Sequence, residues 1–148
     1  MTDLTKKRIS ELTDLKPRQV QFYTEEGVIV PESEKGEGRG KVRRYSEKNL
    51  LEFLLVKEMA DFGMTVGRIK GIIFHTSAEL VNIQKEMSKD PGLSYYLVIL
   101  KGGAVPIFEF IKLKQNEETI VTVSMMHNYA GCFVIDLGQL IKKTSLAK

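Results

Sequence analysis

Asp14-Leu-Lys-Pro-Arg-Gln-Val-Gln-Phe-Tyr-Thr-Glu-Glu-Gly-Val-Ile-Val-Pro31 decides how this chain is read. Pro17 suits a first helical turn, where its missing N–H would have lacked a partner anyway. Gly27 suits the end of that helix. The result is a short helix with Val20 turned inward and Arg18, Gln19, Gln21 and Phe22 on or near its open side. Upstream, Thr5 is placed to cap another short helix reaching about Leu12, with Thr13-Asp14-Leu15 as the tight turn between the two. Downstream, Pro31-Glu-Ser-Glu-Lys-Gly-Glu-Gly-Arg-Gly40 reads as a flexible, glycine-rich polar loop, and Lys41-Val-Arg-Arg-Tyr45 as a strand. Together they make a wing-like excursion.

Charge collects at that excursion. The 148 residues carry a formal net charge of only +3, but Arg39, Lys41, Arg43, Arg44 and Lys48 face a single acid, Glu47, between positions 39 and 48. Ser46 is placed to cap a third helix over 47–61, with Leu50, Leu51, Leu54, Leu55 and Met59 on its buried side and Gly63 beyond its end. Thr65 is placed to cap a fourth, in which Ile69, Ile73, Thr76, Leu80, Ile83 and Met87 recur at spacings of four and three. That seam can serve a partner subunit or the chain's own core. Thr76-Ser-Ala-Glu79 has the form of a capping box, which predicts a break near His75.

After Pro91-Gly92 the pattern changes to short strands: Ser94–Leu100, a turn at Lys101-Gly-Gly103, then Ala104–Ile111, Thr119–Ser124 and Cys132–Ile135. Pro106 argues for an edge or bulge position. Asp136 is placed to cap a closing helix carrying Leu140 and Ile141. The fold class expected is a mainly α N-terminal winged helix-turn-helix followed by a small α+β module. Its divisions are a DNA-binding domain over 1–75, a connecting or dimerisation helix over 76–90 and a strand-rich dimerisation or sensor module over 91–148.

Several function classes fall away. Cys132 is the only cysteine, so neither an internal disulfide nor a multi-thiolate metal centre can form within one chain. His75 and His127 are isolated, which makes a poor metal site. No nucleophile elbow, phosphate-binding loop or zinc signature is present, so neither an enzyme nor a cofactor is expected. The start of the chain lacks an apolar core of signal-peptide type, and no run approaches a membrane span, so a cytoplasmic location is expected.

The stretch 14–31 resembles the helix-turn-helix of MerR-type regulators. So do Val42-Arg-Arg-Tyr-Ser-Glu-Lys-Asn-Leu50 and Phe62-Gly-Met-Thr-Val-Gly-Arg-Ile-Lys70, in the same order and at the family's spacing, over residues 4–74. The resemblance implies a regulator that binds an inverted repeat in double-stranded DNA as a homodimer and changes how RNA polymerase engages a promoter. It also implies backbone contacts from Arg18, Tyr23 and Arg43. From charge and position, Lys41 and Arg44 add phosphate contacts, and Gln19 or Gln21 can read adenine. Asp14 stands where the family usually has glycine, Gln21 replaces a usual arginine and Val42 a usual tyrosine, so the family's operator does not carry over. Family members pair through a long antiparallel coiled coil, whereas a helix starting near Ser77 has room for roughly 13 residues before Pro91. Ile73, Leu80, Ile83 and Met87 are the helical candidates for the dimer interface, and the strand module is expected to help. A small-molecule effector is a candidate partner for the same module, and a membrane is not. The rival reading is an architectural or recombination-accessory protein of excisionase type.

Overall fold

Thr5 opens the first helix as the sequence suggests: its hydroxyl accepts the Arg8 N–H at 3.2 Å, and α1 runs Lys6–Thr13. The computed structural model describes residues 3–36, 40–101, 107–115, 117 and 131–147. Asp14 closes α1 with φ 58° and ψ 13°, the left-handed conformation that a tight turn into the next helix requires. Helix α2, Pro17–Glu25, buries Val20, Tyr23 and Thr24.

The wing is a hairpin of β1, Ser33–Lys35, and β2, Val42–Arg44, in antiparallel register with Glu34 opposite Arg43. From sequence alone 31–40 reads as loop throughout. Ser33–Lys35 is a strand because its backbone pairs with β2 and opposite charges face each other across the ladder. Tyr45, at the end of β2, exchanges both backbone hydrogen bonds with Leu4 at 2.9 Å. Its ring is buried and its hydroxyl meets that of Thr24 at 3.0 Å, tying the wing to α2.

Helix α3, Glu47–Asp61, starts on a reciprocal cap in which Ser46 Oγ accepts from the Asn49 N–H and Asn49 Oδ1 accepts from the Ser46 N–H. Gly63, at φ 77°, follows its end. The helix is buried on all sides from Asn49 to Val56, not only on the expected leucine face.

Helix α4, Val66–Lys89, is one continuous element of 24 residues. The break expected near His75 does not occur. Thr76 is fully buried and donates its hydroxyl to the Ile72 carbonyl at 2.7 Å, so it satisfies itself inside the helix instead of opening a new one. The expected helix of about thirteen residues is accordingly the second half of a longer one.

The chain forms two compact units, Met1–Ser77 with Leu140–Lys148, and Ala78–Gln139. In the second, β3 (Ser94–Leu100) lies between β4 (Ile107–Leu113) and β5 (Cys132–Asp136), all antiparallel. Leu97, Val98, Ile99 and Leu100 are all buried, so the central strand is apolar on both faces. Helix α5, Leu137–Thr144, begins at Asp136, whose carboxylate accepts the Gln139 N–H at 3.2 Å. The expected strand 119–124, the turn at 102–103, Pro106, Arg39 and His127 lie outside the described residues.

Candidate nucleic-acid interface

Helix α2 presents the outward side that its sequence predicts. Val20 is fully buried, while Arg18, Gln19, Gln21 and Phe22 are exposed. Arg18 makes no hydrogen bond or ion pair among the described residues, so its guanidinium is available to an anion. Both glutamines are already engaged. Gln19 Oε1 accepts the Lys16 N–H at 2.8 Å, capping its own helix. Gln21 accepts from Lys6 Nζ at 3.3 Å and donates to Glu25 Oε1 at 2.8 Å. Reading a base through either side chain therefore means exchanging an existing hydrogen bond for a new one.

Tyr23 is buried, and that burial raises its hydroxyl pKa, with the nearby charge of Asp61 adding to the shift. Its ring packs edge-on against Phe22 at 5.4 Å. Among the described residues the hydroxyl has no partner, yet no buried polar side-chain atom lacks one. The ring thus belongs to the core while the oxygen reaches the surface.

Three of the wing cations, Lys41, Arg43 and Arg44, are paired, whereas Lys35 in β1 has no partner among the described residues. Arg43 Nε donates to Glu34 Oε1 at 2.9 Å, and Lys41 Nζ lies 3.2 Å from the same oxygen. Arg43 Nη1 lies 3.7 Å from Glu25 Oε1 on α2, and Arg44 Nε lies 3.8 Å from Asp3. Arg43, with a side chain only 19% exposed, sits between two carboxylates. Hydrogen bonds from Arg43 and then Lys41 hold the Glu34 carboxyl below its ordinary pKa. The sequence pattern marks the cations here but carries no signal for Glu25 and Glu34, which only the fold brings to Arg43. A polar chain, Lys6–Gln21–Glu25–Arg43–Glu34–Lys41, consequently runs from α1 across α2 into the wing.

Beneath this surface, Asn49 Nδ2 donates to the Val30 carbonyl and to Glu52 Oε2, both at 2.9 Å. Glu52, with a side chain 5% exposed, also accepts from Ser77 and lies 3.6 Å from Lys48 Nζ. This network fixes the segment between α2 and the wing against α3. Among the expected interface residues, Ile73, Leu80 and Ile83 are covered within the chain and Met87 is half-buried.

Among the described residues no group of three or more His, Cys, Asp or Glu could hold a metal ion. No helix among them is long and apolar enough to cross a membrane.

Two short helices across a tight turn, a charged two-stranded wing and a buried supporting helix define a winged helix-turn-helix DNA-binding protein. Residues 4–75 match the family described as MerR HTH family regulatory protein, so this part of the chain is a MerR-type helix-turn-helix domain. No curated protein sequence matches the chain closely enough to count as a relative.

Proposed function

We propose that this protein is a sequence-specific transcriptional regulator that acts as a homodimer on an inverted repeat in a promoter. The observation that carries the reading is the exposed face of α2, with Arg18 unpaired among the described residues, joined through Glu25 to the Arg43 of the wing. Helix α2 enters a major groove, Arg18 and the Tyr23 hydroxyl hold phosphate oxygens, and the wing holds the adjacent backbone through Lys41, Arg43 and Arg44. Gln19 and Gln21 are the side chains placed to read base edges. One short helix per subunit covers few base pairs, so two subunits related by symmetry supply the rest of the specificity. Distortion of the DNA between half-sites would alter how RNA polymerase engages the promoter. A small-molecule effector has room in a cleft of about 450 Å³ in the same unit, lined in part by Val28, Val30, Lys48, Glu52, Ile73 and Phe74.

Selection of bound duplexes from a random pool tests this reading. The expected product is an inverted repeat with fixed half-site spacing. Enrichment of bent or flexible DNA without symmetry would refute it and favour an architectural or recombination-accessory role.

A further inference from the structure

Wing cations normally draw a DNA-binding protein toward any duplex, because phosphate attraction is independent of sequence. Around Arg43 and Lys41 that attraction is offset by neighbouring carboxylates, while Lys35 in the same hairpin has no partner among the described residues. Lys41 and Arg43 supply two positive charges, Glu34 and Glu25 two negative ones, and all four side chains are in contact. Glu34 stands directly across the hairpin from Arg43, and one of its oxygens takes both cations. A phosphate oxygen approaching Arg43 and Lys41 would have to displace this carboxylate.

We propose that Glu34, assisted by Glu25, is a specificity-setting residue of the DNA-binding surface: it competes with DNA phosphate for Arg43 and Lys41 and so suppresses binding to unrelated sequence. The proposal rests on the reading that the wing meets the DNA backbone. On unrelated DNA the wing gains only what remains after the internal pairs break. The Glu34 carboxylate left behind then repels the incoming phosphate or takes up a cation, which offsets part of the counterion release. On the cognate site, α2 is already seated by its base contacts, and the wing exchanges its partners within a complex that is otherwise complete. Arg18 marks the contrast. It lies on α2, it is unpaired among the described residues, and it needs no such exchange. Discrimination by a repulsive element works in this way: the acid costs the wrong partner more than the right one.

The test uses the full-length chain and two fluorescent duplexes, one of mixed sequence and one chosen from the random pool, titrated across roughly 50–200 mM salt. Glu34→Gln keeps the side chain's shape and removes its charge, and the β1–β2 ladder, which joins backbone groups, does not depend on that charge. It should bind the mixed-sequence duplex about two- to fivefold more tightly at the low-salt end and steepen the salt dependence by about one ion. It should gain less on the selected duplex, so discrimination falls. Glu25→Gln should act in the same direction and more weakly, since its pair with Arg43 is longer, at 3.7 Å against 2.9 Å. Weaker or unchanged binding in Glu34→Gln, alongside a clear loss in Arg43→Ala, overturns the competition and leaves the wing contact standing. If Arg43→Ala and Glu34→Gln are both silent while the chain binds DNA, the wing reading itself fails.

Discussion

Asp14 occupies a position where the backbone is left-handed, and replacing it in two ways separates the backbone from the charge. Asp14 has φ 58° at the C-terminal end of α1. A residue with a Cβ pays for that conformation, about 1–2 kcal/mol for most side chains and less for Asp. Its carboxylate also lies at the negative end of the helix dipole, an unfavourable term of about 0.3–1 kcal/mol. Asp14→Gly removes both costs and loses about 0.4–1 kcal/mol through the freer unfolded chain. The net expectation is a stabilisation of about 0.5–1 kcal/mol. Asp14→Ala removes the charge but keeps the Cβ and loses aspartate's tolerance of the turn. The glycine variant should therefore exceed the alanine variant by about 1 kcal/mol, with the dipole effect common to both. Urea denaturation followed by far-UV circular dichroism measures the two differences, and for a chain of this size each kcal/mol corresponds to about 2–4 °C in Tm. An alanine variant as stable as the glycine variant would refute the left-handed turn as the reason for the cost.

The remaining predictions concern the site and its support. Asn49→Ala removes both donors that hold Val30 and Glu52 and should cost about 2–4 kcal/mol, read as a lower urea midpoint; a loss under 0.5 kcal/mol would mean the network is not what fixes this segment. Replacing Gln19 and Gln21 together with alanine should reduce preference for the selected duplex more than it reduces affinity for unrelated DNA, by about 1–3 kcal/mol per lost bidentate base contact. Equal losses on both duplexes would make α2 a positioning helix. Ile107 and Val134 are each 43% exposed on the sheet of the second unit, and if the proposed homodimer forms through that sheet, changing both to lysine should shift sedimentation equilibrium from dimer to monomer at micromolar concentration. An unchanged dimer would place the subunit contact elsewhere.

Local sequence determined the elements of the N-terminal half because their start and stop signals act over only a few residues. Thr5 and Ser46 cap within three residues, Pro17 fits the first turn of α2, and Gly27 and Gly63 take the positive φ that follows a helix. The same locality made the family resemblance readable over residues 4–74. Thr76-Ser-Ala-Glu79 misled for the converse reason. A threonine hydroxyl can cap a new helix or bond back to the fourth residue before it, and burial in the folded chain selects the second. Burial also decided which side of α3 is covered: its leucines mark one apolar face, but elements from elsewhere in the chain enclose the rest. The wing depended most on tertiary structure. Its cations are countable in the sequence, whereas the partner of each is set by strand register and by the approach of α2. Glu34 lies nine positions before Arg43 and Glu25 eighteen, and only the hairpin register and the packing of α2 against the wing bring both carboxylates to one guanidinium.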